Sequence, residues 1–242
     1  MKKKILDNIK TIFYALIIAL IIRSLFFQPF YIPSSSMEPT LLIGDRLFVS
    51  KYSYGYSRHS LPFSPTLYSK RILPKHPIRG DVIVFKTPAD NRTDYIKRLI
   101  GLPGDTVQIN DGDLYLNNIK VDKVRTENIK IINCGNAIIN VNSFQETLPN
   151  GISYEVVYNQ DGTMMNTDKY LVPENHYFFM GDNRDCSKDS RFLGSVGYVN
   201  FNNLVGKAQV IFFSNDNKKG SFLKFWKWHK SIRIERFFKS IL

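Results

Sequence analysis

Residues that often carry chemistry are scarce in this sequence of 242 residues, which has only two cysteines and four histidines. Two cysteines are too few for a disulfide scaffold or a four-thiolate zinc site, and these residues are not spaced as metal ligands. The HExxH, GxSxG and P-loop motifs are missing as well. The only SxxK, at 221–224, lies in a basic terminal stretch, which argues against a penicillin-binding fold.

The composition is that of a globular protein. Charged residues make up 22% of the chain and aromatic residues 14%, which excludes a disordered or low-complexity sequence. The length is sufficient for one sizeable core or two small ones. No internal repeat is present.

The net charge of +12 is concentrated at the two ends of the chain. Residues 1–10 carry +3, residues 218–242 carry +7, and the 207 residues between them carry only +2. Charge confined to the ends fits contact with anionic lipid better than a basic groove that follows a phosphate backbone. We therefore expect no nucleic-acid partner.

An uncharged apolar run at 11–22 predicts a membrane-spanning helix from Asn8 to Phe27, about 30 Å long. Lysines precede the run and one arginine, Arg23, closes it, so the N-terminus is expected in the cytoplasm and the body outside the membrane. A cleaved signal peptide is disfavoured because the sequence RSLFFQPF after the run lacks a small-x-small site. A buried core helix is disfavoured because the segment is apolar on every side.

The C-terminal stretch 218–242 alternates aromatic and basic residues. This pattern suits a segment that lies among lipid headgroups, and a disordered basic tail fits it as well. Between the two ends, short β-type runs at 81–85, 106–109, 114–116 and 205–213 are separated by turn residues. The body is therefore predicted to be mainly β, a coiled sheet or partly closed barrel, with a smaller β subdomain inserted at about 110–172.

Three stretches of the body could carry chemistry. The first, PSSSMEPTL at 33–41, has the composition of a proline-bounded linker, yet its flanks are apolar, and a serine here would act close to the membrane surface. The second, at 94–100, places Lys97 between apolar neighbours. Burial would lower its pKa and let it accept a proton from a serine, whereas a surface strand would let the same side chain reach solvent.

The third stretch, GDNRDCSKDSR at 181–191, carries six charged side chains in eleven residues. It fits an ion-pair network that shapes a turn, a solvated loop or a cation site. The histidine nearest to it, His176, fits a structural role. No metal or other cofactor is predicted.

Together these stretches resemble a known family. The motifs PSSSMEPTL, RGDVIVF with YIKRLIGLPGD, and GDNRDCSKDSR occur in the order found in type I signal peptidases, or leader peptidases. The resemblance implies a membrane-bound serine endopeptidase of the cytoplasmic membrane that removes signal peptides from exported preproteins with a serine and lysine pair. It also implies cleavage after small-x-small sites by an enzyme that binds the preprotein as an extended strand.

The resemblance assigns roles to particular residues. Ser36 matches the nucleophile and Lys97 the general base, while Ser34 and the Ser36 N–H match the oxyanion hole. Ser187 matches the hydroxyl that orients the lysine. The supporting ion pairs match Asp182 with Arg98 and Asp189 with Arg191. The substrate-pocket positions match Phe30, Ile32, Met37, Leu41, Tyr95 and Ile96.

The sequence departs from the family pattern at Cys186, where Asn is common, and at Asn200, where Pro is common. Cys134 and Cys186 face an oxidising compartment in this interpretation, and the sequence leaves open whether they pair. The expected parts are an anchor at 1–28, a peptidase domain at 29–217 and a basic aromatic tail at 218–242. Alternatives are a relative that processes one dedicated secretion or pilus-type substrate and an inactive membrane-anchored binding paralogue.

Overall fold

The computed structural model describes residues 2–65, 70–135, 137–158, 164–216 and 228–241. Within these ranges the chain forms a long helix, a short helix and fifteen strands. In chain order they are α1 (Lys2–Leu25), β1 (Phe27–Tyr31), β2 (Asp45–Ser50), β3 (Val82–Lys86), β4 (Asp94–Gly101), β5 (Thr106–Asn110), β6 (Asp113–Leu116), β7 (Ile119–Lys120), β8 (Asp122–Cys134), β9 (Ala137–Thr147), β10 (Ser153–Tyr158), β11 (Tyr170–Leu171), β12 (His176–Met180), β13 (Val199–Asn200), β14 (Leu204–Ser214), α2 (Trp228–Ser231) and β15 (Lys239–Ser240).

Helix α1 stands apart from the body of the protein. It is long and apolar enough to cross a membrane, and none of its apolar window is buried inside the protein. Large apolar side chains such as Ile12 and Ile18 are more than half exposed on it, which a water-facing helix would not tolerate. Phe27, predicted at the end of the helix, instead begins β1, because the extended pairing with β2 starts there.

The largest sheet has eight strands in the order β1-β2-β14-β3-β4-β12-β13, with β15 also paired to β14. All of its pairings are antiparallel. Strand β14 pairs with β2 and β3, and its register shifts between Leu204 and Gly206 and again beyond Ala208. Such irregularities increase local twist, so the sheet curls into an open half-barrel.

Two smaller sheets complete the body. One has three strands in the order β10-β9-β8, and the other has four in the order β11-β5-β6-β7. They share an apolar core with β12, around residues such as Ile109, Val156 and Phe178. The mainly β class, the curled sheet and the single N-terminal apolar helix are as the sequence predicts.

Local patterns predict most strand positions well. The predicted run at 106–109 lies in β5, and the Asp111-Gly112 turn closes the hairpin to β6 with positive φ at both residues. The long hairpin of β8 and β9 has no comparable signal, because its strands combine Asn, Lys and isoleucine without clear alternation.

Part of the predicted tail can be described. Residues 217–227 and 242 lie outside the described residues. Residues 228–241 pack against the body, where Ser240 pairs with Val210 and Ile241 is buried in the core beneath β2 and β14. This part of the tail is therefore an ordered element of the fold and not a disordered extension.

Candidate active site

The serine-rich segment after β1 is held in place by its apolar residues. Met37 and Leu41 are fully buried in the core cluster that also contains Ile32, Leu47 and Val82. Anchoring at these two positions presents Ser36, immediately before Met37, at the edge of the core. The Ser36 side chain is mostly buried, with 8% of the residue exposed.

Lys97 reaches this serine from β4. Its Nζ donates a hydrogen bond to Ser36 Oγ, across 61 positions of sequence. Only 3% of Lys97 is exposed, and no carboxylate of the described residues lies within ion-pair distance of its Nζ. Burial lowers the pKa of Lys97 to about 8, against the opposing charges of Asp189 and Asp182. A substantial fraction of this side chain can thus be neutral near physiological pH.

Two hydrogen-bond donors flank the serine. Ser34 Oγ lies 3.4 Å from Ser36 Oγ. The backbone N–H of Ser36 donates to no acceptor among the described residues, so it is available to a ligand. Two donors beside a nucleophile can stabilise negative charge that develops on a carbonyl oxygen.

The loop after β12 wraps around this pair. Asn183 N donates to Ser36 O at 3.2 Å, and Asn183 Nδ2 donates to Ser35 O at 3.1 Å. Asp182 accepts two hydrogen bonds from Arg98, at 2.8 and 2.7 Å, and both side chains are almost completely buried. Since Arg98 follows Lys97 on β4, this bidentate pair ties the loop to the strand that carries the lysine.

A second buried ion pair closes the loop. Asp189 accepts from Arg191 Nε at 2.8 Å and from the Gly181 N–H at 2.9 Å. Burial alone would raise the pKa of Asp189, but the charge and hydrogen bonds of Arg191 hold it below its ordinary value. Both predicted ion pairs are thus formed: the first joins the loop to β4, and the second lies within the loop.

Ser187 is buried beside Gly181. Its Oγ has no hydrogen-bond partner of ordinary geometry among the described residues. A Cβ added to Gly181 would lie 2.2 Å from this oxygen and 2.4 Å from Ser36 O, so only glycine permits this approach. Orientation of Lys97 by Ser187 stays a prediction.

An open cleft of about 550 Å³ leads to Ser36 and Lys97. It lies between the end of β1 and the start of β4. Four of the predicted substrate positions line it, namely Phe30, Ile32, Tyr95 and Ile96. The other two, Met37 and Leu41, do not line it, since both are fully buried beneath the serine segment.

Several supporting residues have roles that the sequence motifs do not assign. Arg184 donates to both carboxylate oxygens of Glu146, at 2.7 and 2.5 Å, and both side chains are fully buried. Glu146 also accepts from the hydroxyls of Tyr154 and Tyr158. Glu146 belongs to β9, and this network therefore attaches the three-stranded sheet to the active-site loop.

The end of the β8 and β9 hairpin touches the site at two neighbouring residues. Asn133 donates from its backbone and its side chain to the buried Glu38 carboxylate, at 2.9 and 3.1 Å. Cys134 forms a disulfide with Cys186, which settles the pairing that the sequence leaves open. The hairpin is thereby joined both to the serine segment and to the loop after β12.

The C-terminal segment also supports the site. Arg236 pairs with the buried Asp45 carboxylate and donates from Nη2 to the Thr40 carbonyl at 2.9 Å. Thr40 lies in the serine segment, and its hydroxyl donates to Asp182 at 2.5 Å. In the part of the chain that the structure describes, no three His, Cys, Asp or Glu side chains are grouped as metal ligands.

The chain is similar to known proteins over most of its length. The family model described as signal peptidase, peptidase S26, matches residues 5–213. Signal peptidase I of Rickettsia conorii is 41% identical over 94% of this chain and 90% of its own length, and that of Rickettsia typhi is 43% identical with the same coverage. A crystal structure of a signal peptidase I from Enterococcus faecalis is 28% identical, covers 55% of this chain and 97% of its own, and has a TM-score of 0.33. The chain therefore belongs to the peptidase S26 family of signal peptidases, which makes it a serine peptidase that removes signal peptides.

Proposed function

We propose that this protein is anchored by α1 and cleaves signal peptides from exported preproteins with Ser36 as nucleophile and Lys97 as general base. The observation that carries the proposal is the hydrogen bond from the buried Lys97 ammonium nitrogen to Ser36 Oγ. A lysine in this setting needs no carboxylate or histidine partner, since burial itself makes the neutral amine accessible.

The proposed reaction begins with attack of Ser36 Oγ on the scissile carbonyl carbon while neutral Lys97 accepts the hydroxyl proton. The carbonyl oxygen becomes an oxyanion, which the Ser36 N–H and the Ser34 hydroxyl stabilise. Lys97 then gives the proton to the leaving amine, and the peptide C–N bond breaks to leave an ester on Ser36. Water, deprotonated by Lys97, attacks the ester, and the released Ser36 oxygen regains a proton from Lys97.

Supporting residues keep the lysine in place without touching the substrate. The Asp182 and Arg98 pair links the loop at 181–191 to β4, and the Asp189 and Arg191 pair shapes the same loop. We assign both pairs a positioning role. We assign Ser187, in the same loop, to orienting Lys97.

The cleft fits a substrate that binds as an extended strand. Strand β1 lies at the edge of the large sheet. An extended peptide can therefore form hydrogen bonds with the backbone groups at the end of β1, where the cleft begins. Side chains alternate along such a peptide, and apolar walls from Phe30, Ile32, Tyr95 and Ile96 then favour small residues at two positions two apart. We therefore expect cleavage after small-x-small sites, with Met37 and Leu41 supporting the floor of the cleft.

We place the catalytic domain on the outer face of the cytoplasmic membrane. Four lysines precede the apolar run of α1 and a single arginine closes it, which favours a cytoplasmic N-terminus. The serine segment follows β1 directly, so the cleft lies near the membrane surface where a signal peptide emerges. Lipid contact of the basic aromatic tail, 218–242, is part of the same proposal.

The experiment is cleavage of several unrelated preproteins by the detergent-solubilised full chain, followed by N-terminal sequencing of the products. Wild type is expected to cut after small-x-small sites, while Ser36→Ala and Lys97→Ala lose activity. Lys169→Ala removes an exposed lysine far from the motifs and serves as the control. Cleavage of one preprotein alone favours the dedicated-substrate alternative. An inert wild type favours the binding paralogue, and unimpaired variants refute the mechanism.

A further inference from the structure

A second cavity, of about 340 Å³, opens beside the end of α1 that leads into β1. We call it the basic pocket. Four cationic side chains and one carboxylate line it, namely Arg23, Lys51, Lys86, Arg92 and Asp94. A pocket with three more positive than negative charges attracts an anionic ligand.

The pocket has a fixed relation to the membrane helix. Arg23 lies in the last turn of α1, and the turn is attached to the body directly after it. The Tyr56 hydroxyl donates to Leu25 O at 3.0 Å, and Lys51 N donates to Phe26 O at 2.9 Å. The wall of the pocket that Arg23 forms therefore lies where α1 leaves the apolar layer of the membrane.

Lys51 forms the floor of the pocket. It is 2% exposed, and its Nζ donates to the carbonyl oxygens of His59 and Ser60 at 3.2 and 2.8 Å. No carboxylate of the described residues lies within ion-pair distance of this ammonium. Burial and the charge of Arg23 together lower the pKa of Lys51 to about 8. An anion in the pocket would supply the missing countercharge.

The positive charges around the basic pocket also act on the pKa of the neighbouring histidine, His59. Burial lowers the pKa of His59 to about 4, and the charges that add to this effect come from Arg58, Lys86, Arg71 and Lys51. His59 is therefore neutral at physiological pH, since a further positive charge would be repelled. Its Nδ1 lies 2.9 Å from Ser64 Oγ, which holds the ring within the pocket wall.

The single carboxylate does not neutralise the pocket. Lys86 bonds to Asp94 at 2.9 Å and to the Arg92 carbonyl at 2.7 Å, so one lysine already balances that charge. Arg23 and Arg92 have no carboxylate within 4.0 Å in the described ranges. The positive charges of these two guanidinium groups, at the mouth of the basic pocket, are therefore not balanced by a carboxylate of the described residues. A guanidinium group binds phosphate oxygens through two parallel hydrogen bonds.

We propose that the basic pocket binds the phosphate of an anionic phospholipid headgroup. The lipid is favoured over free phosphate by the position of Arg23 at the end of α1 and by Phe63, a pocket residue that is fully exposed. An exposed aromatic ring at the level of the headgroups is typical of membrane interfaces. The lipid chains then lie along α1 while the phosphate contacts Arg23 and Arg92.

The proposal rests on the membrane placement of α1 in the proposed function and is independent of the catalytic mechanism. Phe30 and Asp94 line both the basic pocket and the catalytic cleft. A bound headgroup would therefore occupy the side of the cleft next to the membrane. It would help to hold the cleft at a constant height above the apolar layer.

The test is native mass spectrometry of the full chain in detergent micelles that contain equimolar phosphatidylglycerol and phosphatidylcholine. Wild type is expected to retain one phosphatidylglycerol in preference to phosphatidylcholine. The double variant Arg23→Gln/Arg92→Gln is expected to bind it about 30-fold more weakly, because two cationic contacts are lost. The control, Lys70→Gln/Lys75→Gln, removes the same charge from exposed positions outside the pocket and is expected to bind like wild type.

Equal retention by the double variant and wild type would overturn the proposal, as would equal loss in the control. Inorganic phosphate is then compared with chloride at matched ionic strength. Binding of inorganic phosphate together with equal retention of phosphatidylglycerol and phosphatidylcholine would show that the pocket takes the free anion, and would refute the lipid assignment. Preprotein cleavage is measured on the same samples. Failure of lipid binding with normal cleavage would count against the basic pocket alone, and failure of cleavage with normal lipid binding would count against the proposed function alone.

Discussion

The pKa of Lys97 predicts how the rate of cleavage depends on pH. With a pKa of about 8, the side chain is neutral in about a tenth of molecules at pH 7 and about a hundredth at pH 6. Only the neutral amine can accept the proton of Ser36. The value of kcat/KM should therefore rise about tenfold for each pH unit below 8 and level off above it.

Substitution of the lysine tests the same reasoning. Lys97→Arg keeps the positive charge but cannot lose a proton near neutral pH, so it cannot act as a base. We expect kcat/KM to fall by about 10²- to 10⁴-fold, the usual contribution of a general base. Ser36→Ala should lose a similar factor, and the double variant should lose no more, because the two residues act as one unit.

The assay is cleavage of a purified preprotein by the solubilised full chain from about pH 5.5 to pH 9.5, a range that brackets the expected pKa. Melting temperature, measured at each pH, separates loss of catalysis from unfolding, and Lys169→Ala controls for the loss of a lysine elsewhere. A profile that is flat across this range would refute the assignment of the base. So would a midpoint near the ordinary histidine pKa, or full activity in Lys97→Arg.

Three further predictions concern the supports of the site. Arg184→Met leaves the buried Glu146 carboxylate uncompensated and should reduce the free energy of unfolding by about 3–5 kcal/mol in urea titration; a loss below about 1 kcal/mol would contradict the buried pairing. Cys134→Ser removes the disulfide to Cys186, so the melting temperature of this variant should be lower and should not change when reductant is added. The free energy of unfolding of the wild type should fall by about 2–4 kcal/mol when its disulfide is reduced. Arg236→Gln should lower both melting temperature and kcat, because it releases the Thr40 carbonyl of the serine segment, while the exposed Lys239→Gln should change neither.

Local sequence patterns identify the residues at the centre of the site but not the residues that hold them in position. Ser36 and Lys97 follow from the motifs and from their apolar neighbours. Lys97 and Arg98 are adjacent and both buried, so β4 is covered on both faces, which the neighbouring residues alone do not show. Glu146 and Asn133 lie outside the motifs, and PSSSMEPTL assigns no role to the Glu38 that it contains, because each of the three acts through a partner far along the chain.

The family motifs mark Ser36 and Lys97 as the residues proposed to react. The sequence by itself determined the apolar helix and most of the short strands. These depend on interactions within a few residues, such as a continuous apolar run or a two-residue turn, and a local pattern records them. Only the tertiary structure decided that Lys97 meets Ser36, that Cys134 reaches Cys186, and that Arg236 holds the serine segment. These contacts depend on sheet register and on the curl produced by β14, which the sequence near each residue does not specify.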